Sequence, residues 1–73
     1  MRYLFAGHYE EAKKYAADHG WKKGTWRYLA DPVQLQGDKD IEVTRVGSWM
    51  YRTDISEWET VFEMAEATVV SVP

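Results

Sequence analysis

Two glycine-bounded segments of the chain carry the side chains best suited to binding a small molecule. They are Gly7-His8-Tyr9 and Gly47-Ser48-Trp49, and Arg52 follows closely after the second. Each segment comes directly after a run that predicts a β-strand, an apolar run before Gly7 and an alternating apolar and polar run before Gly47. Ligands of open parallel sheets bind beyond the carboxyl ends of the strands. If the two strands are neighbours, the imidazole, phenol, indole and guanidinium groups line a crevice between the two glycines. In the structural alternative the glycines make tight strand exits, the rings cap the core and the arginine pairs with an acid. The candidate ligand-binding or partner-binding residues are Gly7, His8, Tyr9, Asp31, Gly47, Trp49, Tyr51 and Arg52.

No arrangement of side chains predicts catalysis or a bound metal. His8 and His19 are the two histidines, eleven residues apart, and they fall at opposite ends of one predicted helix, so they cannot share a metal ion. Asp31 and Asp54 could act as general acid and base, but the first precedes a proline in a turn and the second is placed as a helix N-cap. Neither the G-x-G-x-x-G nor the GxxxxGK[ST] phosphate-binding motif occurs. The sequence therefore predicts a protein that is not an enzyme and holds no metal or cofactor.

A basic and aromatic segment, Trp21–Tyr28, offers nucleic-acid binding as an alternative. Trp21, Lys22, Lys23 and Arg27 interleave rings with cations, and proteins that bind single strands place cations on phosphates and rings under bases. Against this, aromatic residues within the predicted strand have one face buried, and the loop lies opposite the usual binding edge. Nucleic acid is therefore an unlikely partner.

Charge is distributed unevenly along the chain. Residues 1–30 contain six basic and three acidic side chains, whereas residues 31–73 contain three basic and nine acidic side chains. The formal net charge of −3 is therefore the sum of +3 in residues 1–30 and −6 in residues 31–73. Glu59, Glu63 and Glu66 form an outer stripe on the second predicted helix, which is ordinarily a solvated face. The stripe could also dock a basic partner, or the basic half of a second copy.

Length and composition define a single small domain over residues 1–73. The chain has no cysteine, which excludes disulfides and thiolate metal sites. No apolar run approaches the roughly 20 residues of a membrane span, and the apolar run at the N-terminus is too short for a secretory signal. We therefore expect an intracellular location and no membrane partner. Eleven aromatic residues are more than so small a core readily hides, which favours a binding surface, with Trp21, Trp49 and Tyr51 as interface candidates.

The spacing of apolar residues predicts four strands and two helices. Strands are expected at residues 2–6, 26–30, 41–46 and 68–72, helices at 8–19 and 55–67, and one helical turn at 33–36. Gly20 is the expected end of the first helix. Asp54 with Glu57 resembles a capping box for the second helix, and Ser56 with Glu59 is a competing choice. Strands alternating with helices indicate an α/β fold with a small, mostly parallel four-stranded sheet, a truncated Rossmann-like arrangement. A strand order of 2-1-3-4 would place one helix on each face.

Several segments together resemble small uncharacterised proteins of actinobacteriophages, including mycobacteriophages. The resemblance covers nearly the whole chain and rests on residues 5–12, Trp26-Arg27-Tyr28, Asp31-Pro32, Leu35-Gln36-Gly37, residues 46–49 and residues 52–55. It implies a phage origin and an accessory role. The same spacing is faintly similar to a fragment of phage P-loop ATPase domains. Here Gly47-Ser48-Trp49 stands where those domains carry the acidic Walker B pair, and the phosphate loop is absent, so the resemblance does not imply ATPase activity.

Taken together, these features predict a non-catalytic phage accessory protein in the host cytoplasm. It is expected to bind a protein, either a host factor or a second copy of itself in a homodimer. One alternative is a small-ligand or nucleotide binder at the carboxyl edge of the sheet. The other is binding of nucleic acid through the basic and aromatic segment.

Overall fold

The computed structural model describes residues 2–35 and 37–72, which form one β-sheet flanked by two α-helices. Its elements in chain order are β1 (Arg2–Ala6), α1 (Tyr9–Asp18), β2 (Trp26–Tyr28), a first 3₁₀ helix (Pro32–Leu35), β3 (Glu42–Val46), a second 3₁₀ helix (Trp49–Tyr51), α2 (Ile55–Met64) and β4 (Thr68–Ser71). The predicted α/β fold class is confirmed. Gln36, the last residue of the predicted helical turn, lies outside the described residues.

The strands of the described residues pair in the order β2-β1-β3-β4, and every pairing is parallel. Arg2 of β1 lies beside Trp26 of β2 and Glu42 of β3, and Glu42 lies beside Thr68 of β4. The predicted strand order is therefore confirmed. The two helical crossovers leave the centre of the sheet in opposite directions, so right-handed connections put α1 and α2 on opposite faces.

The face of the sheet beneath α2 carries the larger core. The ring of Phe5, on the central strand β1, lies 5.5 Å from the rings of both Trp58 and Phe62 of α2. Both contacts are edge-to-face, a geometry that adds about 0.5–1.5 kcal/mol per pair beyond apolar burial. The same core also contains Tyr3, Leu29, Leu35, Ile41, Val43 and Ala65.

The face beneath α1 carries a smaller core. Ala12 and Ala16 lie one helical turn apart and are buried, so their small side chains let α1 approach the sheet closely. They pack with Leu4, Ala6 and Val46. Half-buried side chains close the sides of this core, namely Tyr15, Trp21, Trp26, Tyr28 and Val72.

Residues in the left-handed backbone region end both helices. Gly20 ends α1 as predicted, with a φ of +67°, and the Trp21 amide donates to the Ala16 carbonyl at 2.8 Å in the manner of a Schellman motif. The second helix ends at Met64, short of the predicted residue 67, because Glu66 adopts a φ of +53° and turns the chain towards β4.

Two local predictions are corrected. The second strand ends at Tyr28 rather than at residue 30, because Asp31 opens a turn in which its Oδ1 accepts the amide of Val33 at 3.0 Å. The capping box at Asp54 and Glu57 is wrong, since the Asp54 side chain makes no cap hydrogen bond. Neither of the α-helices in the described part of the chain has the length and hydrophobicity required to cross a membrane.

Candidate functional site

The carboxylate of Glu11 occupies the carboxyl edge of the sheet between β1 and β3. It accepts hydrogen bonds from the Ser48 amide at 2.9 Å, the Ser48 hydroxyl at 2.6 Å and the His8 amide at 3.2 Å. The hydrogen bonds from Ser48 hold the pKa of the Glu11 carboxyl below its ordinary value of 4.5, against the opposing effect of burial. A Cβ atom at Gly47 would overlap this carboxylate. The predicted crevice between Gly7 and Gly47 is therefore filled by the chain itself.

A second carboxylate cluster closes the neighbouring part of the same edge. Arg52 binds both oxygens of Asp54 at 2.9 Å, and the Trp58 indole donates to the same carboxylate at 2.9 Å. The hydrogen bond from Arg52 is the main cause of the lowered pKa of Asp54, whose ordinary value is 3.8. Arg52 also donates to the carbonyl oxygens of Ala6 and Leu29 at 3.1 and 2.7 Å. The arginine pairs with an acid, as in the structural alternative for this edge.

The structure brings part of the predicted ligand-binding set together, because Gly7, His8 and Gly47 surround the Glu11 carboxylate, but it places the aromatic residues and Asp31 elsewhere. The Tyr9 ring lies on the α1 side, 6.2 Å from Trp26 and stacked on it. The Trp49 ring lies on the α2 side, 6.4 Å from Phe5, with the Arg45 guanidinium 4.1 Å above it. Asp31 sits in the turn before the first 3₁₀ helix, and Tyr51 of the second 3₁₀ helix is 80% exposed. These residues serve separate parts of the surface and core.

The basic and aromatic segment is divided between packing and a shallow pocket. Trp21 is half-buried under the Arg2 guanidinium, 4.5 Å from its ring centroid, and against Tyr15. Lys23 and Arg27 lie along the outer side of β2. They line a depression of about 360 Å³ with Tyr9, Gly24, Trp26, Tyr28 and Gln34.

Sequence reasoning missed an apolar groove between the first 3₁₀ helix and the end of α2. Its volume is about 430 Å³, and its lining consists of Pro32, Val33, Leu35, Gly37, Asp38, Lys39, Val61, Met64 and Ala65. Leu35 and Ala65 are buried in its floor, whereas Val33 and Met64 on its walls are 63% and 73% exposed. Met64 falls outside the apolar stripe of its helix, which is the sequence signal that could have indicated this surface.

The lining of the groove contains one acidic and one basic side chain, and α2 adds further acidic residues. The helix that forms one wall contains Glu57, Glu59 and Glu63 and no Lys or Arg. Glu57 precedes Val61 of the groove by one helical turn, so the two lie on the same side of α2. Asp38 and Lys39 lie on the lining itself.

Residues 2–35 and 37–72 contain no group of three or more His, Asp or Glu side chains placed to hold a metal ion. Within the same residues, every buried side-chain nitrogen and oxygen has a hydrogen-bond partner. Comparison with protein-family models, with curated proteins and with solved structures finds no match to this chain.

Proposed function

We propose that the chain is a non-catalytic protein-binding module whose docking site is the groove between the first 3₁₀ helix and α2. One observation carries the proposal: Val33 and Met64 face a common apolar groove while remaining 63% and 73% exposed. Burial of an exposed aliphatic side chain contributes about 1.5–3 kcal/mol of favourable free energy. Folding of the chain alone leaves most of this contribution unused at Val33 and Met64. A partner that inserts apolar side chains into the groove supplies that burial.

The charge around the groove supports a partner with basic residues. Residues 31–73 carry nine acidic side chains against Lys39, Arg45 and Arg52. Two of these three cations are engaged within the chain, because Arg45 donates to the Ser71 hydroxyl and Arg52 to Asp54. An amphipathic helix that presents apolar residues to the groove and Lys or Arg to Asp38 and Glu57 combines both features.

The resemblance to actinobacteriophage proteins supports a more specific form of the proposal. In that form the chain is a phage accessory protein of the host cytoplasm and its partner is a host factor. The groove is compatible with an accessory role, because an apolar site with charged residues at its border can bind a peptide segment without any catalytic group.

The depression beside β2 favours a second candidate function, which is binding of single-stranded nucleic acid. Lys23 and Arg27 border the stacked rings of Tyr9 and Trp26 there, and cations beside rings suit phosphates beside bases. The net charge of −3 opposes this function, so it ranks below protein binding.

A matched pair of methionine substitutions tests the proposal. The immobilised chain is presented to nuclease-treated actinobacterial lysate, and retained proteins are identified by mass spectrometry. Met64→Lys places a cation in the groove and is expected to reduce retention of the partner tenfold or more, which corresponds to a loss of about 1.4 kcal/mol in binding free energy. Met50→Lys makes the same change at a side chain that is 54% exposed and outside the groove lining, and it should retain the partner fully.

Equal retention by both variants, or no retained protein, would overturn the proposal. A parallel experiment without nuclease distinguishes protein binding from the second candidate function, binding of nucleic acid. If material is retained only without nuclease, and is lost with Lys23→Glu rather than with Met64→Lys, the chain binds nucleic acid instead.

A further inference from the structure

Strand β4 presents an open backbone edge. The amides of Thr68 and Val72 donate to carbonyl groups of Ile41 and Arg45, on the β3 side. Backbone groups of a strand alternate in direction along the chain. Those of Val69 and Ser71 therefore point away from β3, and β4 is the last strand of the sheet on that side among the described residues.

Within the strand, the edge of β4 carries no charged residue and no proline, two of the devices that ordinarily prevent strand pairing. Its four residues, Thr68–Ser71, include no charge and no proline, and three of them are β-branched. Edge strands are ordinarily protected by charged residues, proline, bulges or covering elements. The opposite edge of the sheet shows such protection, because the Gln34 side chain donates to the outward carbonyl of Tyr28 at 3.0 Å.

The side chain of Val70 adds an apolar contact to this edge. It is 55% exposed, and it belongs to neither hydrophobic core. It projects from the face of the sheet that carries α1, since Val69, one residue away, packs against the core beneath α2. Strand β4 therefore offers both backbone hydrogen bonds and an apolar side chain to an incoming strand.

We infer that β4 pairs with β4 of a second copy, antiparallel and with Val70 on the twofold axis. In that register Val69 faces the partner's Ser71, and Ser71 faces the partner's Val69. Because these are the residues with outward backbone groups, the two pairs form four N–H···O=C bonds and join the two four-stranded sheets into one of eight strands. Val70 and Val70 of the partner subunit form the intervening close pair.

The twofold symmetry of the proposed pairing favours a second copy over an unrelated strand. A twofold axis at Val70 makes both halves of the ladder identical, so one short segment supplies both sides of the interface. No charge in β4 opposes the approach. The edge shares no residue with the lining of the apolar groove, so this inference does not depend on the proposed function. A dimer presents two grooves to a partner and gains avidity if both are engaged.

Disulfide trapping tests the register. Residues of a close antiparallel pair have Cα atoms about 4.5 Å apart, within the 4.4–6.8 Å range that disulfides span. The chain has no cysteine of its own. Under mild oxidation Val70→Cys is expected to form a covalent dimer almost completely, at twice the 8.5 kDa mass of the chain. Met50→Cys, at a side chain of similar exposure outside both β4 and the groove lining, should stay monomeric on the same timescale.

Light scattering over about 10 μM to about 1 mM tests the association without a covalent bond. The wild-type chain should approach twice the 8.5 kDa monomer mass, and the amides of Val69 and Ser71 should become protected from hydrogen exchange as it does. Val70→Lys places two cations face to face and should raise the dissociation constant tenfold or more, whereas Met50→Lys, outside both β4 and the groove lining, should leave it unchanged. A wild-type monomer at the highest concentration, or equal association of the two lysine variants, would overturn the inference.

Discussion

At the scale of single residues, Arg52 joins three parts of the chain through one guanidinium group. Its Nη1 atom donates to the carbonyl oxygens of Ala6 and Leu29 at 3.1 and 2.7 Å. Its other donors hold both oxygens of Asp54, and the group lies 4.5 Å above the Phe5 ring. With its side chain only 10% exposed, Arg52 acts as an internal support for the carboxyl edge of the sheet.

Removal of this support should destabilise the fold much more than removal of a surface ion pair. Arg52→Met removes both hydrogen bonds from Arg52 to Asp54 and those to the carbonyl groups of Ala6 and Leu29, and we expect a loss of about 2–4 kcal/mol in the free energy of unfolding. Lys14→Met is the matched control, because Lys14 pairs with Asp18 at 3.2 Å with both side chains largely exposed. The control should lose less than about 0.5 kcal/mol. Urea denaturation compares the two, and equal losses would contradict the assigned role.

Glu11 shows where sequence reasoning at this scale ends. Its position in the first turn of α1 is explained by the helix dipole. Its main partner, Ser48, is 37 residues away and has no local signal. The sequence predicts a crevice between the two glycines near it, whereas in the structure the Glu11 carboxylate occupies the space that a side chain at Gly47 would need. Apolar spacing does not specify which polar side chain fills a gap between strands.

At the scale of elements, strand and helix positions could be predicted because burial imposes their periods directly. Within the second helix, Trp58 and Phe62 are apolar residues one helical turn apart in the sequence, and the structure buries both. Parallel order followed from the alternation of strands and helices and from the hand of the crossovers. The groove could not be predicted, because it depends on how far the first 3₁₀ helix stands from α2, a distance set by the packing of Leu35 and Ala65 into the core.

The end of α2 carries a backbone conformation that glycine adopts more easily. Glu66 has a φ of +53°, and the Ala67 amide donates to the Phe62 carbonyl at 2.9 Å, which is the pattern of a Schellman motif with a non-glycine residue at the left-handed position. Glu66→Gly should therefore raise the free energy of unfolding by up to about 1 kcal/mol. Glu63→Gly, within the helix, should lower it by about 1 kcal/mol. Thermal melts compare the variants, and a destabilised Glu66→Gly would contradict this explanation.

At the scale of the whole molecule, two carboxylate clusters close one edge of the sheet and leave the other surfaces for binding. Glu11 ties the start of α1 to the loop after β3, and Asp54 ties the start of α2 to the ends of β1 and β2 through Arg52. The proposed groove and the proposed dimer edge lie elsewhere. The carboxyl edge therefore maintains the fold, and its charge state governs the stability of the whole chain.

The charged state of these two carboxylates predicts that the folded chain loses stability in acid. A single substitution at Glu11 measures the part of that loss that Glu11 causes. The pKa values of Glu11 and Asp54 are lowered in the folded chain from ordinary values of 4.5 and 3.8, so the native state binds fewer protons than the unfolded state. Their contribution to the free energy of unfolding is complete above the ordinary pKa values and disappears as the pH falls through the lower folded-state values.

The Glu11→Gln variant has no carboxyl group to titrate at this position. It should be less stable than wild type by about 1–2 kcal/mol at neutral pH, and the difference should shrink as urea titrations move from about pH 6 to about pH 2. Glu10→Gln, at the neighbouring exposed carboxylate, should follow the wild-type profile; a constant gap between Glu11→Gln and wild type would show that the carboxylate charge is not what closes this edge.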